Sequence, residues 1–349
     1  MPSDDIMVPV DPALIQQLLQ DPNTAAALAA GQPTEFNNMY HLKIQPDIAD
    51  HISGFQSAVS SSVSTDTVSE ETDADEIYTV SDNMTVKVSK FDRKEYEDIE
   101  KAINMHLSEG SLVCSCSDNE INIEDCISVE DNVITIKQGG IYVISGTMRK
   151  GSIKVDGPDN KKVRIILDNA FIASDLTAPL NIVKADKASV IAKEGTENYL
   201  IKTGTYDNGS DKPNACLFSR CDLTLGGSGS LTVKTECGNG IGTKDDLKIM
   251  NGNIYVQSVK NGLKGNDSVS IFGGTIRVRA GKDAVKSDKE DKEGKGFIFI
   301  NDGNMAFIAG DDILESPLAL VVRGGQMNDY FGGKEFNCNG YTEVNKADQ

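Results

Sequence analysis

The stretch from Asn239 to Asp312 carries one sequence pattern four times. The first copy reads Asn239-Gly-Ile-Gly-Thr-Lys-Asp-Asp-Leu-Lys-Ile249, and Asn261-Gly-Leu-Lys-Gly-Asn-Asp-Ser-Val-Ser-Ile271 follows 22 residues later. A third copy opens at Asp283 and a fourth at Asp312, which a charged insertion at 289–295 displaces by seven residues. A repeat this short is one unit of a stacked array, so each unit must bury its apolar side chains against the next.

Apolar and polar residues alternate in two short segments of each copy, which predicts strands. The predicted inward-facing pairs are Leu247/Ile249, Ile254/Val256, Val269/Ile271, Ile276/Val278, Phe297/Phe299 and Met305/Phe307. Antiparallel hairpins and leucine-rich horseshoes are the competing architectures. The fixed register of the copies, without a Leu-x-x-Leu-x-Leu pattern, favours an all-β fold. We expect a right-handed single-stranded parallel β-helix of about 22 residues per coil.

The chain divides into five predicted regions. Looser copies upstream extend the expected β-helix over residues 112–335, with a C-terminal tail at 336–349. Residues 91–111 are expected to form a capping helix with Ile99, Ile103 and Leu107 on one face. The acidic, Ser/Thr-rich stretch 56–90 is typical of a linker. Residues 1–55, with Asp-Pro steps at 11–12 and 21–22, predict a short helical segment that attaches the chain to a larger assembly.

Charge and composition exclude several classes of partner. The net charge of the chain is −19. Most of it lies in residues 1–100, which contain 19 acidic and 5 basic residues. We therefore expect no nucleic-acid partner, because no basic cluster opposes this field. No apolar stretch reaches membrane-spanning length, and no secretory signal is visible, so we expect neither membrane insertion nor a standard export route. The seven cysteines contain no CxxC pair, which argues against structural zinc.

Further signposts resemble a known protein family. Several segments are similar to a bacterial family of carbohydrate-binding β-helix proteins. They are Ile134-Thr-Ile-Lys-Gln-Gly-Gly140-Ile-Tyr-Val-Ile-Ser-Gly-Thr147 and the ranges 163–168, 178–186, 193–198 and 309–312. The resemblance implies cellulose or pectin binding, a pectate-lyase-like architecture, bound calcium and no catalysis. Family copies usually read Asp-Gly at the coil corner. Here Asn239 and Asn261 replace two carboxylates by amides, which would weaken a calcium site in that column.

Two acidic groups are the candidate calcium sites, because calcium takes six to eight oxygen ligands. The richer group lies at the last corner and contains Asp283, Asp288, Asp311, Asp312 and Glu315. The thinner group contains Asp245, Asp246 and Asp267. The alternative is that Asp and Asn at these corners bond only local backbone amides.

One strand face is the candidate glycan site. If Ile254 and Val256 point inward, Tyr255 points outward, and the same parity applies one coil before and after. The resulting patch contains Thr232, Lys234, Tyr255, Gln257, Arg277 and Arg279. Aromatic faces suit sugar rings and cations suit uronates, so the patch predicts an anionic polysaccharide partner. An ordinary solvated sheet face is the alternative.

Three functions compete at this stage. The leading hypothesis is a non-catalytic polysaccharide binder, with calcium as a candidate cofactor, that mediates adhesion from a surface or a particle exposed outside the cell. The alternatives are a structural or decoration protein of a phage virion, and a pectate-lyase-like enzyme. His41, His51 and His106 fall outside the predicted β-helix, so no His-dependent triad is expected.

Overall fold

The computed structural model describes residues 74–108, 111–206 and 212–345. The predicted attachment segment 1–55 and most of the predicted linker lie outside these residues. The described chain is all-β apart from short helical turns. These turns are α1 (Lys90–Arg93), a 3-10 turn (Ile99–Lys101) and α2 (Ile123–Cys126). Among the described residues, no helix has the length and apolar character needed to cross a membrane.

Three rows of mainly parallel strands form the body of the protein. The first row contains β3 (Ile103–Ser108), β7 (Gly140–Met148), β9 (Lys162–Ser174), β11 (Lys187–Ala192), β14 (Asp222–Gly226), β17 (Asp246–Ile249), β20 (Ser268–Ile271), β23 (Phe297–Ile300), β26 (Ala319–Val322) and β29 (Tyr341–Val344). The long strands β7 and β9 continue into the second row, which adds β12 (Glu197–Lys202), β15 (Ser230–Thr235), β18 (Asn253–Ser258), β21 (Thr275–Ala280), β24 (Asn304–Ala309) and β27 (Gln326–Phe331).

The third row and two antiparallel additions complete the strands. The third row contains β5 (Ile127–Glu130), β6 (Val133–Ile136), β8 (Ser152–Asp156), β10 (Leu180–Lys184), β13 (Ala215–Ser219), β16 (Asn239–Thr243), β19 (Leu263–Gly265), β22 (Val285–Ser287), β25 (Leu314–Ser316) and β28 (Phe336–Cys338). At the N-terminal end β4 (Ser111–Cys116) pairs antiparallel with β3, and β5 pairs antiparallel with β6. A separate hairpin consists of β1 (Glu76–Ser81) and β2 (Met84–Val88).

The register confirms that successive copies stack. From β10 to β26, each strand pairs in parallel with the strand three elements further along the chain. Ile249 lies beside Ile271, and Leu247 lies beside Val269. These side chains are fully buried in one continuous core that runs through the stack. Stability therefore comes from each copy packing on its neighbours.

Glycine fixes the turn between the first and second rows. Gly252, Gly274 and Gly303 occupy successive turns with φ values of 122°, 94° and 133°. A Cβ on Gly274 would lie 2.7 Å from the carbonyl oxygen of Gly252 in the turn before. Only glycine combines this conformation with this close backbone approach, which explains why a Gly occupies each of these three turns.

The structure corrects the parity that we expected at Phe297 and Phe299. Ile271 pairs with Ile300, so Ile298 and Ile300 take the inward positions and both phenylalanines point outward. The insertion at 289–295 breaks the spacing of 22, and Phe-Ile-Phe-Ile is apolar on both faces, so alternation could not choose between the two registers. Phe297 and Phe299 are nevertheless buried, because the β1–β2 hairpin covers them with Val80, Val86 and Val88.

Three predicted region boundaries are also wrong. In place of the capping helix at 91–111, the chain forms α1, a 3-10 turn and β3. Ile103, Met105 and Leu107 point inward at every second position along β3, which is the pattern of a strand. The helix was predicted because Ile99, Ile103 and Leu107 also have i, i+4 spacing. The linker prediction for 56–90 fails at 76–88, which form the hairpin. The predicted tail contributes β28 and β29, which extend the rows to Val344.

Residues 76–101, here called the strap, cross the outer surface of the first row. The Asp92 carboxylate anchors the strap: it lies 2.7 Å from Lys187 Nζ and 4.0 Å from Lys248 Nζ, and Thr224 Oγ1 donates to it. Asp92 is only 1% exposed. Burial favours its neutral form, but the two lysines and the hydrogen bonds outweigh burial and lower the pKa of Asp92 to about 2. The strap thus holds an ionised carboxylate against the first row.

Candidate functional site

The coil corners stack into a ladder of side-chain hydrogen bonds. Asn239 Oδ1 accepts from the backbone N–H of Asn261 at 3.1 Å, and Asn261 Oδ1 accepts from that of Asp283 at 3.3 Å. Asp283 Oδ1 then accepts from Asp312 N at 3.2 Å, and Asp312 Oδ1 from Lys334 N at 2.6 Å. Asn and Asp are interchangeable here because each needs only one oxygen for the next coil. The alternative prediction named local backbone amides as the partners, whereas the ladder bonds join each corner to the backbone of the next coil.

Three of the five residues in the richer acidic group come together. Ligand oxygens of Asp283, Asp312 and Glu315 all lie within 4.8 Å of one another. Lys286 already bridges two of them: its Nζ lies 3.2 Å from Asp283 and hydrogen-bonds Glu315. Burial, followed by the neighbouring Asp283, raises the pKa of Glu315 even though Lys286 opposes this.

The other two predicted ligands stand apart. Asp288 pairs with Lys264 and lies 3.9 Å from Lys286 Nζ. Asp311 is exposed and does not join the three-carboxylate group. The second oxygen of Asp312 accepts from Asn337 Nδ2 at 2.6 Å. The last corner is therefore a compact acidic cluster whose charge Lys286 partly compensates.

Lysines of the insertion neutralise the thinner acidic group. Lys295 Nζ lies 2.7 Å from Asp246, and Lys292 Nζ lies 2.7 Å from Asp267. Asp245 has a raised pKa, first because of burial and then because of the nearby Asp222 and Asp267. Within the described residues, these three acids do not form a cluster with converging ligand oxygens.

All six residues of the predicted glycan patch lie together on the second row. Thr232, Tyr255 and Arg277 are register partners across β15, β18 and β21. Lys234, Gln257 and Arg279 form the neighbouring column on the same strands. The described residues place no strap over this row, whereas the first row is covered. The strap therefore leaves this face of the second row uncovered, although Gln257 itself is buried within the patch.

The patch contains one aromatic ring and one buried amide with an open bonding position. Tyr255 is half-buried, Lys234 Nζ lies 6.0 Å from its ring centroid, and burial raises the pKa of Tyr255 to about 12. Gln257 is 1% exposed, and its Oε1 accepts from the Tyr255 hydroxyl at 3.4 Å. Gln257 Nε2 has no partner among the described residues. Buried polar atoms are normally satisfied, so this nitrogen is an unsatisfied donor within the patch.

Arg277 is the second unsatisfied group of the patch. It is half-buried on β21, and it forms no hydrogen bond or ion pair with any part of the chain that the structure describes. A guanidinium without a partner among the described residues, near an amide nitrogen that also has none there, can receive an anionic oxygen-rich ligand.

Sequence reasoning missed two aromatic residues on the same face. Phe171 and Tyr199 precede Thr232 in the same column, and their ring centroids lie 6.0 Å apart. Their copies lack the Asn-Gly signature, so the repeat alone did not place them in this column. Parity along Phe171-Ile172 and Tyr199-Leu200 is the signal that could have done so.

The prediction that all three histidines lie outside the strand rows is wrong for His106. This residue lies on β3, and its Nδ1 is 3.0 Å from Ser145 Oγ. Asp168 is the register partner of Ser145 on the far side and binds Lys193 at 2.6 Å. The imidazole does not lie between hydroxyl and carboxylate, so the three residues do not form a triad.

Residues 130–348 match the family of carbohydrate-binding domain-containing proteins. The chain belongs to this family. The matched range includes the whole candidate patch and the acidic corner. It excludes the strap, β3 and β4.

Two similar proteins agree with this assignment. A carbohydrate-binding domain-containing protein of Acetivibrio thermocellus is 40% identical over 223 residues, which are 63% of this chain and 78% of the relative. A solved structure described as a polysaccharide lyase-like protein from C. thermocellum, gadolinium derivative, aligns with a TM-score of 0.65 and 32% identity. That alignment covers 70% of this chain and 97% of the solved chain. A polysaccharide lyase-like β fold in a carbohydrate-binding family is thus established.

Proposed function

We propose that this protein is a non-catalytic polysaccharide-binding module whose three strand rows wind as a right-handed single-stranded parallel β-helix. The observation that carries the proposal is the uncovered second row. There, the Arg277 guanidinium and Gln257 Nε2 lie beside Tyr255, and neither has a partner among the described residues. The family assignment supplies the ligand class. Adhesion to a glycan, from a surface or a particle, is the role we assign to the module.

The favoured ligand is an anionic, pectin-like glycan rather than cellulose. Lys234, Arg277 and Arg279 lie in two adjacent columns although the chain as a whole carries −19. Guanidinium groups bind carboxylates through charge-assisted hydrogen bonds, which a neutral glucan does not offer. Tyr255 adds an apolar surface for one ring. Both features together match an acidic sugar chain.

A binding experiment tests this proposal. Affinity electrophoresis in gels that contain polygalacturonate should retard the wild-type protein, and Arg277→Ala with Arg279→Ala should restore free mobility. Lys244→Ala is the matched control, because it removes an exposed cation from the turn between β16 and β17. Equal retardation of the double variant and the control would contradict the proposed site. Retardation only by soluble cellulose derivatives would reassign the ligand.

The same incubation distinguishes an enzyme from a binder. A lyase needs a neutral base near its metal, and Lys286 is the cation nearest the acidic corner. Burial alone would lower the pKa of Lys286, but the hydrogen bond to Glu315 and the charge of Asp283 raise it overall. Lys286 therefore stays protonated, which favours binding over catalysis. An increase in the absorbance of unsaturated products would overturn this, and no retention at all would favour a structural role.

We propose calcium at the last corner, held by Asp283, Asp312 and Glu315 in competition with Lys286. The three carboxylates converge, which suits a hard cation, but the ammonium already shares two of them. When bound, the ion would bridge neighbouring coils. No step of glycan binding at the second row requires it.

Removing the competing ammonium should strengthen calcium binding. We expect Lys286→Met to raise the calcium-dependent increase in melting temperature above that of the wild type, because the carboxylates then lack a counter-ion. Thermal unfolding with calcium or with a chelator measures this. Lys264→Met, which removes a cation that pairs only with Asp288 among the described ion pairs, is the control. If the melting temperature of Lys286→Met were the same with calcium as with the chelator, calcium binding at this corner would be excluded.

A further inference from the structure

The second row continues beyond the patch as an aromatic platform. Phe171 on β9 and Tyr199 on β12 are register partners, both half-buried, with ring planes tilted by 39°. The Arg149 guanidinium lies 5.6 Å from the Phe171 centroid. The two rings expose apolar surface on the same face as Tyr255.

The platform and Arg277 belong to one straight column. The order along the stack is Phe171, Tyr199, Thr232, Tyr255 and Arg277. Neighbouring strands of a sheet lie about 4.8 Å apart, so Tyr199 and Arg277 are separated by roughly 14 Å. A single sugar ring cannot touch both ends of this column, whereas an extended oligosaccharide along the stack can.

The two ends of the column differ in chemistry. At the Arg277 end, the guanidinium lies in the column next to that of Gln257, which is 1% exposed. Neither the guanidinium nor Gln257 Nε2 has a partner in the part of the chain that the structure describes. At the other end the Tyr199 hydroxyl donates to the exposed Glu197 carboxylate at 3.0 Å, which disfavours a second anion there. The platform therefore suits the apolar face of a sugar ring, and the Arg277 end suits a carboxylate.

We propose that the second row holds two linked subsites for one acidic oligosaccharide, a stacking subsite at Phe171–Tyr199 and a carboxylate subsite at Arg277–Gln257. This inference rests on the proposed glycan-binding function and adds the direction and minimum length of the ligand. The chain lies across the strands, along the direction in which the coils stack. A ligand that reaches both subsites gains affinity, because the second contact becomes intramolecular.

Calorimetric titration with galacturonate oligomers of increasing length tests the arrangement. Affinity should increase by about 10-fold or more at the length that first spans both subsites. Tyr199→Ala should abolish this increase and leave the shortest binding oligomers unaffected, while Tyr199→Phe should retain it. Arg277→Ala should weaken binding at every length. Tyr341→Ala, which removes a 47% exposed tyrosine from the first row, is the control.

The outcomes separate this inference from the function on which it rests. Affinity that does not depend on oligomer length, or a Tyr199→Ala variant that behaves like Tyr341→Ala, would overturn the two-subsite arrangement while glycan binding stands. Failure of the wild type to bind the polymer at all would overturn both. Circular dichroism of each variant establishes that lost affinity does not reflect unfolding.

Discussion

At the scale of single residues, the corner ladder explains a departure from the family pattern. Asn239 and Asn261 stand where an aspartate is usual, yet their Oδ1 atoms bond the next coil just as Asp283 and Asp312 do. The acid is therefore dispensable for stacking. Where the acid is present, its second oxygen is available to bind Lys286 or Asn337.

Loss of one ladder oxygen should be measurable. We expect Asn261→Leu to lower the free energy of unfolding by about 1–3 kcal/mol, because the buried N–H of Asp283 loses its acceptor. Asn261→Asp keeps the oxygen and should cost less. Urea denaturation of both variants provides the comparison. Equal stability of the leucine variant and the wild type would show that the ladder contributes little.

At the scale of elements, the sequence predicted the strands of the repeat well. Alternation placed Leu247/Ile249 and Ile276/Val278 inward, and all four side chains are buried. Alternation fails where both faces are buried, as at Phe297 and Phe299, because a second layer hides the polar face. The patch was predictable from parity. The partners of its side chains depend on contacts between distant copies, which no single segment encodes.

The Asp92 carboxylate of the strap makes the free energy of unfolding depend on pH in the acidic range. Asp92 has a folded-state pKa of about 2, below the ordinary value of 3.8, so its ionised form stabilises the fold above pH 4. We expect about 2 kcal/mol of this stabilisation to disappear as the pH falls from about 4 to about 2. Urea unfolding as a function of pH measures the loss.

The Asp92→Asn variant isolates this contribution. It should be less stable at neutral pH by about 3–5 kcal/mol, because Lys187 and Lys248 lose their buried counter-ion. It should also lack the part of the acid dependence that Asp92 supplies. Glu97→Gln, which removes a half-buried surface partner of Lys90, should change the stability less than Asp92→Asn does. An unchanged pH profile in Asp92→Asn would mean that other carboxylates cause the acid effect.

At the scale of the whole molecule, net charge and local charge act in opposite directions. The chain carries −19, which repels an acidic polymer at long range, while Lys234, Arg277 and Arg279 attract it at contact. Salt screens both effects beyond a Debye length of about 8 Å at physiological ionic strength. The sign of the salt dependence therefore shows which effect dominates.

We expect the affinity for polygalacturonate to fall as sodium chloride is added, because direct ionic contacts dominate the bound state. The slope should flatten in Arg277→Ala, and a neutral oligosaccharide should show little dependence. Titrations at several salt concentrations measure these slopes. Affinity that increases steadily with salt would mean that repulsion by the whole chain outweighs the contacts of the second row.

The strap also determines where a truncated fragment of this protein should begin. The family range opens at residue 130, downstream of the strap residues Val80, Val86 and Val88, which pack against Phe297, Phe299 and Val321. A fragment trimmed to that range would expose these apolar side chains and would remove the Asp92 carboxylate from Lys187 and Lys248. We therefore expect such a fragment to self-associate. A fragment that stays monomeric in solution should therefore begin before the hairpin, which starts at Glu76.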